Sequence, residues 1–107
     1  MTPPATVTWA DPARAQRFAQ WIEPLAGAHR LRLDSLRPAS ADASFRRYLR
    51  VDGDGASCIV MDAPPPREDV RPFVHVAGLI AHAGLHAPKV LAADVEHGFL
   101  LLDDLGE

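Results

Sequence analysis

The chain has 107 residues, a formal net charge of −3 and an ordinary apolar share, which together bound it to one small domain with a single modest core. The acidic balance argues against a nucleic-acid partner held mainly through phosphate contacts, and no apolar run approaches the ~20 residues of a membrane span. Cys58 is the one cysteine, so an internal disulfide is excluded, and a reducing, cytoplasmic setting is the expectation.

Residues Met1 to Trp9 form a Pro- and Thr-rich lead. Asp11-Pro12 then reads as an N-cap followed by proline at the first helical position. Ala15, Phe18, Ala19 and Ile22 fall on one helical face, with Pro24 and Gly27 as the stop. Leu31 and Leu33 alternate with arginines in a first strand that Pro38 closes. A small polar connection, Ser40-Ala41-Asp42-Ala43-Ser44, leads to a second strand from Phe45 to Val51. Asp52-Gly53-Asp54-Gly55 is a hairpin turn, and Ala56 to Asp62 returns as a third strand. Pro64-Pro65-Pro66 breaks it. A second helix begins near Asp69, because Pro72 is tolerated only in a first turn. Its apolar stripe is Val70, Phe73, Val74, Ala77 and Ile80, and Gly84 fits its end. Val90 to Val95 and Phe99 to Leu102 are two further strands joined by Glu96-His97-Gly98. The predicted fold is α+β: a five-stranded antiparallel sheet with one packed helix, preceded by an N-terminal helix. Residues 1–30 are an N-terminal extension, and residues 31–107 are the lobe.

The spacing also suggests which side chains share a face. With the Asp52 to Gly55 turn pairing Val51 with Ala56, Arg47 stands opposite Val60 and diagonal to Asp62. Phe45, Arg47, Leu49, Val51, Val60 and Asp62 then lie on one side, and Arg46, Tyr48, Arg50, Ile59 and Met61 on the other. The five histidines come with no cysteine or carboxylate cluster that would complete a metal site.

Three segments carry a resemblance. Ser40-Ala41-Asp42-Ala43-Ser44-Phe45-Arg46-Arg47-Tyr48 looks like a first hairpin turn, Val60-Met61-Asp62-Ala63-Pro64-Pro65-Pro66-Arg67-Glu68-Asp69 like a third strand and the entry to its helix, and Leu100-Leu101-Leu102-Asp103-Asp104-Leu105-Gly106 like a hinge. In this order they resemble the N-terminal lobe of the aminoglycoside phosphotransferase and choline kinase-like family, which shares the protein-kinase fold. The resemblance is strongest to a bacterial branch that phosphorylates the anomeric hydroxyl of the amino sugars N-acetylmuramate and N-acetylglucosamine in cell-wall recycling. It implies ATP as cofactor, with Mg²⁺ held by a C-terminal lobe that lies beyond this chain, together with the catalytic residues. The chain alone is therefore expected to be inactive, and to self-associate through the surface facing that lobe. The alternatives are a truncated or stand-alone non-catalytic module that binds a nucleotide or a partner chain, and an aminoglycoside- or choline-type kinase.

The resemblance also implies roles. The Asp103 carbonyl and the Leu105 N–H would meet the adenine edge, with Leu102 at the back of the slot and Val60 as its roof. Ser40, Asp42 and Ser44 would let the backbone approach phosphates. Protein kinases place a lysine on the third strand, paired to a glutamate on the following helix. Here the strand ends in Asp62, the single lysine is Lys89, and the stretch from Val70 to Leu85 holds no carboxylate. Arg47, oriented by Asp62, is the expected replacement on the face that carries Val60.

Overall fold

The computed structural model describes residues 7–41, 46–65, 67–84 and 89–104. Its elements run α1 (Pro12–His29), β1 (Leu31–Ala41), β2 (Arg47–Gly53), β3 (Ser57–Asp62), α2 (Arg71–His82), β4 (Val90–Asp94) and β5 (Phe99–Asp103). The strands form one antiparallel sheet in the order β1-β2-β3-β5-β4. Helix α2 carries the chain from β3, past β5, to the far edge.

Asp11 caps α1, its carboxylate accepting from the Ala13 N–H at 3.0 Å. The helix does not stop at Pro24 or Gly27, as expected, but at His29, where Arg30 takes a left-handed conformation (φ 57°) and donates to the Ala26 carbonyl. Pro24 is exposed, so water can take the carbonyl left without its helical N–H. Leu25 and Ala26 beyond it pack on the core and hold the last turn in place. Strand β1 likewise runs through Pro38 instead of ending there. It lies at the edge of the sheet, where proline's missing donor does not break a second ladder, and register shifts flank the residue.

The β2–β3 register departs from the expected one by two residues. Arg47 pairs with Asp62, Leu49 with Val60 and Val51 with Cys58. Of the two Asp-Gly steps, the chain uses the second for its turn: Gly55 has φ +88°, and the Gly53 N–H donates to the Ala56 carbonyl at 3.0 Å. Gly53 stays in the strand, where a Cβ would stand 2.8 Å from the Ala56 oxygen. A slip of two keeps every side chain on its face, so the expected partition of faces stands.

Both faces are covered, by different helices. Phe18 and Ile22 of α1 pack with Leu49, Val51, Val60, Phe99 and Leu101. Trp9, Phe18, Trp21 and Phe99 form an aromatic cluster there, with centroids 5.1–6.3 Å apart. On the other side Val70, Phe73 and Val74 pack over Tyr48, Met61, Leu100 and Leu102. The N-terminal helix thus shares one core with the sheet. Each large side chain fully buried in these layers contributes about 1.5–3 kcal/mol.

Candidate functional site

The end of β3 and the start of β2 bring the predicted charges together. Asp62, 5% exposed, receives Arg47 Nε at 2.7 Å on one oxygen. Its other oxygen receives Arg14 Nε at 2.9 Å and Nη2 at 2.6 Å. The Arg14 guanidinium also donates to the His97 carbonyl at 2.6 Å and lies 4.1 Å above the centre of the Phe99 ring. Arg47 donates to the Thr8 carbonyl at 2.8 Å and stacks 4.4 Å from Trp9. The Arg47–Asp62 pair is therefore real, but α1 and the segment before it cover the face on which it sits. Val60, expected to roof a purine, is 0% exposed in the core beneath α1. The expectation that this is the cleft face is corrected: the helix that follows β3 packs on the opposite side.

That opposite side holds further ion pairs among the described residues. Arg46 Nε donates to Glu68 Oε1 at 2.8 Å. Arg50 Nε donates to Asp104 Oδ2 at 2.8 Å, and the same oxygen accepts from Ser57 Oγ at 2.6 Å. The bond to Glu68 outweighs the opposing effect of burial and, with a smaller contribution from a bond to Tyr48, pushes the Arg46 pKa further up, so this cation is permanent. Glu68 is set by the turn before α2, where its N–H donates to the Pro64 carbonyl at 3.1 Å. Next along the chain, Asp69 accepts from the Arg71 side chain and backbone, and these bonds draw its carboxyl down to about 2.

Leu102 sits on this same side, opposite Ile59 and nearly buried. Asp103 ends β5, and its carboxylate accepts from the Lys89 N–H at 2.6 Å. Ser40 lies in β1 opposite Tyr48. Asp42, Ser44 and Leu105 lie outside the described residues. Among those described, no three His, Cys, Asp or Glu side chains form a group able to hold a metal. Cys58 is buried, and burial, with Asp103 and Asp104 nearby, pushes its thiol up and makes it a poor nucleophile.

Sequence reasoning missed Arg14, Glu68 and the Arg50–Asp104 pair. Glu68 falls two residues before the stretch from Val70 to Leu85, where a helix carboxylate would be expected. Arg14 carries no local signal, because nothing in the pattern says which sheet face α1 takes.

The chain can be set beside known proteins on this geometry. The profile of the phosphotransferase enzyme family matches residues 35–107. An N-acetylmuramate/N-acetylglucosamine kinase of Pseudomonas aeruginosa is 52% identical over 104 residues, covering 91% of this chain and 31% of that protein. The protein of the same name from Pseudomonas putida is 58% identical over 72 residues, covering 67% of this chain and 21% of the relative. One from Neisseria meningitidis is 46% identical over 69 residues, covering 64% and 20%. The chain thus spans about a third or less of the length of these relatives. No solved structure matches it significantly.

Proposed function

We propose that this chain, which belongs to the phosphotransferase enzyme family, forms the nucleotide-binding part of an ATP-dependent kinase acting on a hydroxyl of an amino sugar. The observation that carries the reading is the α2 face of the sheet. There half-buried Ile59 stands opposite Leu102, which is buried beside it, and offers an apolar floor for a purine. Arg46 and Arg50 stand on the same face, as an anionic polyphosphate requires.

The end of β5 lies along this floor. There Leu102 backs the purine, and the Asp103 carbonyl and Leu105 N–H meet its edge. Ser40, at the end of β1, and Asp42 and Ser44 after it are assigned to the phosphates by the resemblance. The chain's own work is to bind and orient the nucleotide, since phosphoryl transfer needs positioning and charge neutralisation more than covalent help. ATP supplies the phosphoryl group. Mg²⁺ is assigned to no residue here, because the described part holds no suitable ligand group. The sugar, N-acetylmuramate or N-acetylglucosamine phosphorylated at its anomeric hydroxyl, follows the names of the relatives. ATP and a buried, reduced Cys58 suit the cytoplasm. No helix among the described residues is long and apolar enough to cross a membrane.

A chimera tests this function. This chain replaces the corresponding segment of the Pseudomonas aeruginosa relative, and ATP-dependent phosphorylation of both sugars is measured. Turnover within about tenfold of the parent is expected. A folded chimera that binds ATP but phosphorylates neither sugar would overturn the substrate assignment, and one that binds no ATP would overturn the kinase reading.

A further inference from the structure

A lysine on β3 can pair with an acid on the following helix only if both lie on the sheet face where that helix packs. In this chain that face is the α2 face, and the two β3 residues at issue contribute no cation to it. Met61 points under α2 and is 1% exposed, while Asp62 points to the other side, toward Arg14 and Arg47. The place of the lysine is therefore filled from elsewhere or not at all.

The Arg46–Glu68 pair stands at that place. Arg46 alternates with Arg47 at the start of β2, so it falls on the α2 face with Tyr48, which packs against the same buried cluster as Phe73 and Val74 of α2. Glu68 comes three residues before α2, from the turn that opens the helix. The two side chains are unequally buried: Glu68 is 12% exposed and Arg46 33%. The acid is thus held within the fold, and the guanidinium it orients reaches solvent. The Arg47–Asp62 pair has the reverse character, with α1, Trp9 and Thr8 closing around it.

Resting on the kinase reading above, we infer that Arg46, positioned by Glu68, is the phosphate-binding cation of this lobe and replaces the β3 lysine. Arginine suits a site displaced to the neighbouring strand. Its planar fork carries five N–H donors on a long stem, so one edge can serve the carboxylate while another serves phosphate oxygens. Glu68 does for Arg46 what a helix glutamate does for the lysine: it fixes the cation's direction. It reaches the cation from the turn before α2, which agrees with the lack of any carboxylate within Arg71–His82 itself.

The test compares ATP, ADP and adenosine binding to the whole chain and its variants, by isotope-edited NMR titration. Arg46→Met should weaken ATP and ADP about ten- to a hundredfold, the range of one lost charge-assisted hydrogen bond, and leave adenosine within about twofold. Arg46→Lys and Glu68→Gln should each lose less, again with adenosine unchanged. Unchanged adenosine binding also shows that a variant has folded. Arg32→Met, which removes an exposed cation near the hairpin tip, should alter none of the three affinities. ATP affinity that survives Arg46→Met but falls with Arg47→Met would overturn the inference, and so would a parallel loss of adenosine. If the chain alone binds none of the three, the same titration is made on the chimera with the Pseudomonas aeruginosa relative, where failure to bind ATP sinks the kinase reading itself, which separates the two failures.

Discussion

Asp62 neutralises two arginines from two different elements, and only 7% of its side chain is exposed. Its oxygens accept three N–H bonds from these two guanidinium groups. Asp62→Asn would leave Arg14, 14% exposed, and Arg47, 28% exposed, facing each other without a counter-charge. Removing one partner from a fully buried pair costs about 3–5 kcal/mol. Solvent reaches part of Arg47, so about 2–3 kcal/mol is expected, measured as a shift of the urea midpoint at constant m-value. A change under about 0.5 kcal/mol would mean that water takes over the role of the carboxylate. The residue scale is also where the sequence is least legible. Alternation alone sets Asp62 and Arg47 on one face, and it does so correctly because it survives a two-residue slip. Their partner Arg14 lies 48 positions from Asp62, and no local rule connects them.

Each element takes its form from signals that can be read, and the misses come from competition between equal signals. Two Asp-Gly steps follow each other at residues 52–55, and composition does not rank them. The structure ranks them by sterics, with the left-handed conformation at Gly55 and the close strand contact at Gly53. The β4–β5 turn depends still more on one glycine. Gly98 has φ +76°, and a Cβ there would stand 1.9 Å from the Ala63 carbonyl oxygen, while its own carbonyl accepts from the Ala63 N–H at 2.8 Å. Gly98→Ala should therefore destabilise by about 3 kcal/mol or more, through overpacking against backbone that cannot yield. Gly78, mid-way along α2, is exposed, and a Cβ added there would meet nothing within 4 Å. Gly78→Ala should stabilise by about 0.5–1 kcal/mol through helix propensity. Thermal melts of the two variants check the pair of opposite signs. Equal shifts would refute the claim that local geometry, not glycine content, sets the effect.

At the scale of the whole molecule, the sheet is sandwiched between two helices, and this decides where function can lie. Phe18 and Ile22 mark an apolar face on α1 in the sequence, but a stripe on a helix does not name the surface it will cover. Once α1 takes the Val60 face, a ligand is left with the α2 face beyond that helix. If α1 is an integral layer, it should unfold with the sheet and not before it. The chain carries its own probes: Trp9 and Trp21, the only two tryptophans, both belong to the cluster around Phe99 that joins α1 to β5. Tryptophan fluorescence therefore reports the docking of α1, while far-UV circular dichroism reports secondary structure throughout. For a single cooperative unit the two urea transitions coincide. Four β-strand side chains that would be exposed without α1, Leu49, Val51, Val60 and Leu101, are each 0% exposed with it, so its release would uncover much of the apolar core. Burial on that scale couples α1 to the sheet strongly enough for coincident midpoints. A fluorescence transition at clearly lower urea would show instead that residues 1–30 are a separable extension, and that the Val60 face opens in solution.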